Sequence, residues 1–115
     1  MDRPWVEVTV SLAGSSHRVW CIVDTGADDT ILDVGTAAVL GVNRLALPKT
    51  TVKGVSGSAT SFARQPGVQL DFAGTSVTDT VLFGSVSVPV LGRSALLSAS
   101  GGVAVEFVTT SWSHS

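Results

Sequence analysis

The sequence predicts an all-β fold. Nineteen Val, two Ile and twelve Thr, the β-branched residues that favour strands, make up 33 of the 115 residues. Twelve Gly and four Pro divide the chain into short segments, several of which alternate apolar and polar residues. Since a period of two places apolar side chains on one face of a strand, we expect the strands to share a common core.

Each strand follows from this alternation and from the turns that bound it, which include Ala13-Gly14-Ser15-Ser16 and Ala73-Gly74-Thr75. Strands are predicted at 6–10 and 18–23, and the second is apolar enough to be buried on both faces. A hairpin is predicted where Ser56-Gly57-Ser58 separates the extended segments 50–55 and 59–64. The remaining strands are predicted at 30–32, 68–72, 77–83, 86–91 and 103–108, and Pro89 gives 86–91 an edge or irregular part.

Two short helices interrupt the strands. The first is predicted over 36–40, with Thr36 as its N-cap and Gly41 as the left-handed residue that closes it. The second, over 94–98, has one to two turns at most. The sequence contains no linker and no internal repeat, so we expect a single domain over 1–108, followed by a flexible polar tail over 109–115.

The composition excludes several classes of protein. A net charge of −2 argues against a strongly basic nucleic-acid-binding protein. A single cysteine excludes an internal disulfide framework and a cysteine-based structural zinc site. The apolar runs are only a few residues long, so neither a transmembrane segment nor a signal peptide is predicted. Only 14% of the residues are charged, which favours exposed apolar surface and self-association.

One stretch concentrates the residues that carry chemistry. Asp24-Thr25-Gly26-Ala27-Asp28-Asp29 places three carboxylates within six residues, directly after the strand 18–23. An ordinary polar turn is the alternative interpretation of Asp-Thr-Gly taken by itself. Because the motif follows a buried strand, we expect the Asp24 carboxylate to be partly desolvated and suited to acid–base catalysis. The motif occurs once, so a two-fold homodimer would supply the second carboxylate of a proton-sharing pair.

The segment Asp24 to Thr30 resembles the active-site loop of the retroviral-type aspartic proteases, the retropepsins. Three further segments follow in the family's order. Pro48-Lys49 with the hairpin Gly54-Val55-Ser56-Gly57 is similar to the flap, and the segment 80–84 is similar to a later strand. The segment Val90-Leu91-Gly92-Arg93 is similar to the one that leads into the family's short helix. The resemblance covers about residues 3–108 and implies a retropepsin-like closed β-barrel or sandwich with one flap hairpin and one or two short helices.

The resemblance implies an aspartic endopeptidase that cuts extended peptides with apolar residues near the cut. Asp24 of each subunit would activate a water molecule between them, without a metal or another cofactor. Thr25 would bond across to the partner's loop, and Gly26 would allow the substrate backbone to approach closely. Ala27 lacks the hydroxyl that Ser or Thr supplies in some members, so we expect a less acidic optimum of activity.

The resemblance also assigns binding and structural roles. Asp28 and Asp29 would lie beside the cleft, and Asp28 would pair with Arg93 and, across the dimer, with Arg3. A solvated terminal charge explains Arg3 equally well, and each apolar binding residue is also explained as part of the core. The expected substrate-binding residues are Ile22, Gly26, Ala27, Asp28, Asp29, Ile31, Gly54, Val55, Ser56, Gly57, Val88 and Val90.

A second class of function stays open, because a fold does not fix a function. The alternative is a catalytically weak dimerisation or peptide-binding module, although such a module has no need of an intact Asp24-Thr25-Gly26. The expected partners are a second copy of the chain and a peptide or protein substrate, with neither nucleic acid nor membrane. Fewer residues precede Arg3 than in retroviral members, so we expect a differently built dimer interface. The expected location is the cytoplasm or the interior of a viral or precursor particle.

Overall fold

The computed structural model describes residues 4–53 and 59–100. Two short helices, α1 (Val34–Val39) and α2 (Arg93–Ser100), and one 3₁₀ turn (Arg44–Ala46) accompany seven strands. The strands are β1 (Trp5–Leu12), β2 (Ser15–Val23), β3 (Thr30–Asp33), β4 (Lys49–Lys53), β5 (Ala59–Phe72), β6 (Thr75–Gly84) and β7 (Val90–Leu91). The prediction of an all-β fold with one or two short helices is confirmed.

The strands form one mixed sheet in the order β1-β2-β7-β3-β6-β5-β4. Strand β1 also pairs antiparallel with β5, with Val10 opposite Leu70, so the sheet closes on itself as a barrel. The hairpins β1–β2, β4–β5 and β5–β6 are antiparallel, whereas β2–β7 and β3–β6 are parallel. Since β2 and β7 are parallel neighbours, the segments that follow them emerge side by side at the same end of the barrel.

The core lies inside the closed sheet. Alternate residues of β1 are buried, as the period of two predicts, and Val8 and Val10 have no solvent exposure. Each of the other long strands contributes its own alternate set. The residues packed together there include Cys21, Leu32, Val68, Leu70, Val81, Phe83 and Leu91, with Ala37 of α1, the C-cap residue Leu40, and Ala95 and Leu96 of α2.

Two hairpins turn through the same pair of residues. Ala13-Gly14 joins β1 to β2, and Ala73-Gly74 joins β5 to β6. All four residues have positive φ, between 51° and 86°, as a two-residue turn between twisted antiparallel strands requires. The second position of each turn favours glycine, because glycine adopts positive φ without a steric penalty, and this explains why the sequence pattern locates both turns.

The first helix begins earlier than the sequence predicts. Helix α1 starts at Val34, with Asp33 as its N-cap, so the prediction of Thr36 as the N-cap is wrong. The Thr36 hydroxyl instead donates a hydrogen bond of 2.6 Å to Oδ1 of Asp33. Gly41 lies just beyond the helix with a φ of +74°, as predicted. The second helix is also longer than predicted, because it extends to Ser100.

Two strand predictions need correction as well. The segments 59–64 and 68–72 form one long strand, β5, whose register shifts between Gln65 and Val68. The segment 86–91 contributes only Val90–Leu91 to the sheet, so its first part is irregular, which is one of the two predicted alternatives; the strand itself is central, so the edge alternative is wrong. Pro89 has no N–H to donate, so the strand begins after it, while its carbonyl accepts a hydrogen bond of 2.9 Å from Ile22 N–H.

Some predictions fall outside the described residues. These are the tip of the hairpin at 54–58, the strand at 103–108 and the tail at 109–115. Within 4–53 and 59–100, no helix combines the length and the apolar character needed to cross a membrane.

Candidate active site

The acidic loop, residues 24–29, follows the end of β2 and leads into β3. Its start is tied to the neighbouring strand, because Asp24 N–H donates to the carbonyl of Leu91 at 3.1 Å. Inside the loop, Ala27 N–H donates to the carbonyl of Asp24 at 3.1 Å, and Gly26 N–H donates to Oδ1 of Asp24 at 2.9 Å. This Asx-type turn orients the Asp24 carboxylate against its own backbone.

The second half of the loop is held by three consecutive residues that follow β7, Gly92, Arg93 and Ser94, which we call the clamp. Arg93 N–H donates to the carbonyl of Ala27 at 2.7 Å, and Ser94 N–H donates to the carbonyl of Asp28 at 3.2 Å. Gly92 N–H donates to the buried hydroxyl of Thr30 at 3.1 Å. Three consecutive amides therefore hold a loop that lies more than sixty residues away in the sequence.

Gly92 permits the close approach of these two segments. A Cβ atom on this residue would lie 2.2 Å from the carbonyl oxygen of Asp29 and 2.3 Å from its carbonyl carbon. Because both neighbours are backbone atoms, no side-chain rotation would relieve the contact. Any larger residue here would force the loop and the start of α2 apart.

An ion pair joins the same two segments on the outside. The Arg93 guanidinium lies 2.5 Å from Oδ1 of Asp28, as predicted for this pair. Both side chains are more than half exposed in the single chain, so the pair is a surface contact of small energy. The predicted third member, Arg3, lies outside the described residues.

The Asp24 side chain is exposed, as are Thr25 and Gly26. The expectation that β2 desolvates the carboxylate is wrong for the single chain. Only the last three residues of β2 are buried, and burial stops at Val23, where the chain leaves the sheet. Any desolvation of Asp24 must therefore come from outside this chain or from residues beyond those described.

Three of the predicted apolar binding residues lie in one row across the sheet. Ile22 of β2 is opposite Val90 of β7, and Val90 is opposite Ile31 of β3. Ile22 is buried and the other two are half-buried. Val88 is also half-buried and precedes β7, outside the strand. Ile22 precedes Asp24 by two residues, and Val90 directly precedes Leu91, whose carbonyl accepts the Asp24 N–H. Contact of the row with substrate stays a prediction.

The other predicted binding residues divide into two groups. Ala27 and Asp29 are half-buried in the loop, and Asp28 is exposed. The predicted flap residues Gly54, Val55, Ser56 and Gly57 lie outside the described residues. The strands that lead to and from them, β4 and β5, do pair as an antiparallel hairpin.

The sequence analysis missed two positioning contacts. Thr30 is fully buried and accepts the Gly92 N–H, and a polar residue at the start of an apolar strand was the available signal. Ser94 donates to Oδ2 of Asp79 at 2.7 Å, and Thr80 N–H donates to the other carboxylate oxygen at 2.8 Å. Nothing local in the sequence indicates this second link, because it joins β6 to α2.

In the described part of the chain, Asp24 presents an exposed carboxylate from a loop that is held by backbone hydrogen bonds, beside the row of apolar residues. Within residues 4–53 and 59–100, no three or more His, Cys, Asp or Glu side chains lie close enough together to hold a metal ion. The Asp24 geometry suits a group that gives and takes protons in contact with an extended, partly apolar ligand.

Comparison with known proteins agrees with this chemistry. A family model described as aspartyl protease matches residues 6–95, which include the loop, the row and the clamp. A search of curated proteins finds no match for the chain.

Proposed function

The chain belongs to the aspartyl protease family, and we propose that it is an endopeptidase that works as a homodimer. Asp24 carries the reaction. The observation that supports this assignment is that the Asp24 carboxylate is exposed while backbone hydrogen bonds hold its loop at both ends. A chain with one such loop needs a second copy to complete a pair of carboxylates.

In the proposed dimer, two Asp24 side chains share one proton and hold one water molecule. The ionised Asp24 removes a proton from the water, whose oxygen forms a bond to the carbonyl carbon of the peptide. The protonated Asp24 donates its proton to the carbonyl oxygen. The first Asp24 then passes the proton it took from the water to the leaving nitrogen, and the C–N bond breaks. One hydroxyl of the tetrahedral intermediate returns its proton to the other Asp24 as the C=O bond of the new carboxyl group forms. No metal and no covalent intermediate takes part in these steps.

Dimerisation would also supply the desolvation that the single chain lacks. Two like charges held close together disfavour double ionisation, which is the condition for sharing one proton. The low charge of the chain and the half-buried Val90 and Ile31 support an interface or a ligand on this face. The expected substrate is an extended peptide with apolar side chains over the row at the cut.

Cleavage of a mixed peptide library between pH 4 and 7 tests the proposal. We expect the wild type to cleave and Asp24→Asn to be inactive, while Asp71→Asn, which alters a carboxylate in the distant β5–β6 hairpin, cleaves normally. The specific rate should rise with protein concentration as two 11.8 kDa chains associate. Cleavage by Asp24→Asn would contradict the assignment of the reaction to Asp24. No cleavage by a folded dimeric wild type would contradict the endopeptidase itself and favour the peptide-binding module.

A further inference from the structure

Charged residues are segregated along the chain. Residues 34–70 contain four of the seven basic residues and no acidic one. Residues 24–33 contain four of the nine acidic residues and no basic one. The basic residues of the first stretch are Arg44, Lys49, Lys53 and Arg64, and the acidic residues of the second are Asp24, Asp28, Asp29 and Asp33. The loop is therefore negative, and the arm that carries β4 and the start of β5 is positive.

One basic residue of the arm shares a face of the sheet with the apolar row. Ile31 of β3 is opposite Leu82 of β6, and Leu82 is opposite Arg64 of β5. Directly opposed residues place their side chains on the same face. The irregularity in β5 begins only at Gln65, so the register at Arg64 is regular. The row from Ile22 through Val90 and Ile31 thus continues through Leu82 to Arg64.

Burial changes along this extended row. Leu82 is only 1% exposed and does not belong to the main core cluster, so other parts of the chain cover it on this face. Phe62, two residues before Arg64, lies on the same face with its ring against Gly84. Arg64 itself is exposed. The face therefore passes from the half-buried Val90 and Ile31, through the covered Leu82, to the exposed guanidinium of Arg64.

The length of the row matches a short stretch of peptide. Neighbouring strands are about 4.8 Å apart, so the three steps from Val90 to Arg64 span roughly 14 Å. An extended peptide advances about 3.3 Å per residue and covers that distance in about four residues. The backbone at Arg64 is fixed, because its N–H donates to the carbonyl of Pro48 at 2.9 Å.

We propose that Arg64 determines specificity by binding an acidic side chain of the peptide substrate, about three to five residues from the cut. This inference rests on the proposed endopeptidase function. A guanidinium binds a carboxylate through two parallel hydrogen bonds, which gives direction as well as attraction. Closer to the cut, the carboxylate of Asp29 repels acidic side chains, whereas Arg93 offsets the charge of Asp28, so the preference is confined to the far end of the row.

Paired peptides test this assignment. From one cleaved peptide, a series places Glu or Gln at each of the positions two to five residues from the cut, on both sides. We expect the wild type to favour Glu by about 3- to 10-fold in kcat/KM at one position, and to lose this preference in 1 M salt. Arg64→Gln should abolish the preference, and Arg64→Glu should favour Lys there. Arg18→Glu makes the same charge change on β2 and should keep the preference for Glu.

A binding measurement separates this inference from proteolysis. Fluorescently labelled Glu and Gln peptides are titrated with Asp24→Asn, alone and combined with Arg64→Glu. Tighter binding of the Glu peptide that is lost in the double variant supports the role of Arg64, even where the wild type cleaves nothing. Equal binding of the two peptides, no binding of either, or a Glu preference that survives Arg64→Glu would overturn it.

Discussion

The Thr30 hydroxyl accepts a hydrogen bond of 3.1 Å from the backbone N–H of Gly92, although 62 residues separate them. Both groups are buried, and the bond lies between the start of β3 and the start of α2. It joins the acidic loop to the segment that clamps it. The relative position of Asp24 and α2 therefore depends in part on this interior hydroxyl, together with the backbone bonds that Arg93 and Ser94 donate to the loop.

Thr30→Val should weaken both the fold and the activity. Valine keeps the shape of threonine but leaves the Gly92 N–H without its partner, which costs about 1–3 kcal/mol. Urea unfolding monitored by circular dichroism measures the loss. Thr30→Ser retains the hydroxyl and should recover most cleavage. Equal effects of Val and Ser on cleavage would show that the hydrogen bond does not position the loop.

Gly92→Ala should reduce both activity and stability. The new Cβ would lie 2.2 Å from the Asp29 carbonyl oxygen, so the loop must move. We expect about 1–3 kcal/mol of destabilisation and, since small displacements of reacting groups are costly, about 100-fold lower kcat. Gly67→Ala is the control, because nothing lies within 4 Å of its Cβ and only its φ of +72° causes strain. It should melt earlier yet cleave normally.

The strands and hairpin turns could be predicted because their causes are local. Val6, Val8 and Val10 alternate in the sequence and alternate in burial, and Gly14 and Gly74 occupy turns that require positive φ. The loop could be identified because Asp24, Thr25 and Gly26 are adjacent in the chain.

The sequence pattern could not predict three long-range features: the central position of β7, the Thr30–Gly92 bond and the Asp79–Ser94 bond. Each depends on segments that meet only after the barrel closes. The exposure of Asp24 was missed for a related reason. The apolar residues Cys21, Ile22 and Val23 suggest that Asp24 is buried too, but burial ends at Val23, where the chain leaves the sheet.

The Arg93–Asp28 pair should contribute little in the single chain. Its side chains are 54% and 75% exposed, and pairs of this kind are worth about 0.2–1 kcal/mol. A double-mutant cycle with Arg93→Ala and Asp28→Asn measures the coupling, because the backbone bonds of both residues remain. Repeated at protein concentrations that favour the proposed dimer, the coupling should increase. Coupling that is independent of concentration would assign the pair to the chain's own fold.

Ala27→Ser should move the activity optimum to lower pH. A serine hydroxyl in this loop would donate a hydrogen bond to the ionised carboxylate of the proposed pair and stabilise that form. A hydrogen bond to a charged group is worth about 1.5 kcal/mol, which corresponds to a displacement of up to roughly one pH unit. The pH dependence of kcat/KM for one peptide gives the answer, with Ala27→Gly as the variant that adds no hydroxyl. A shift common to both variants would contradict this explanation.

Cys21 should be unreactive in the folded protein and should make its stability sensitive to high pH. Burial, assisted by the charge of Asp33, raises the pKa of the Cys21 thiol from 9.0 to about 12. At pH 8 the folded thiol stays protonated, so we expect Ellman's reagent to react at least about 100-fold more slowly than in urea.

The sign of the pH dependence follows from the raised pKa of Cys21. The unfolded thiol ionises first, so its contribution to stability is complete below pH 9 and is lost between about pH 9 and 12. The free energy of unfolding should fall there by roughly 1 kcal/mol per pH unit. Cys21→Ala lacks this ionisation, so the difference between the two pH profiles isolates it from the titration of lysines. Parallel profiles, or a native thiol that reacts as fast as the unfolded one, would show that Cys21 is not shielded by the barrel.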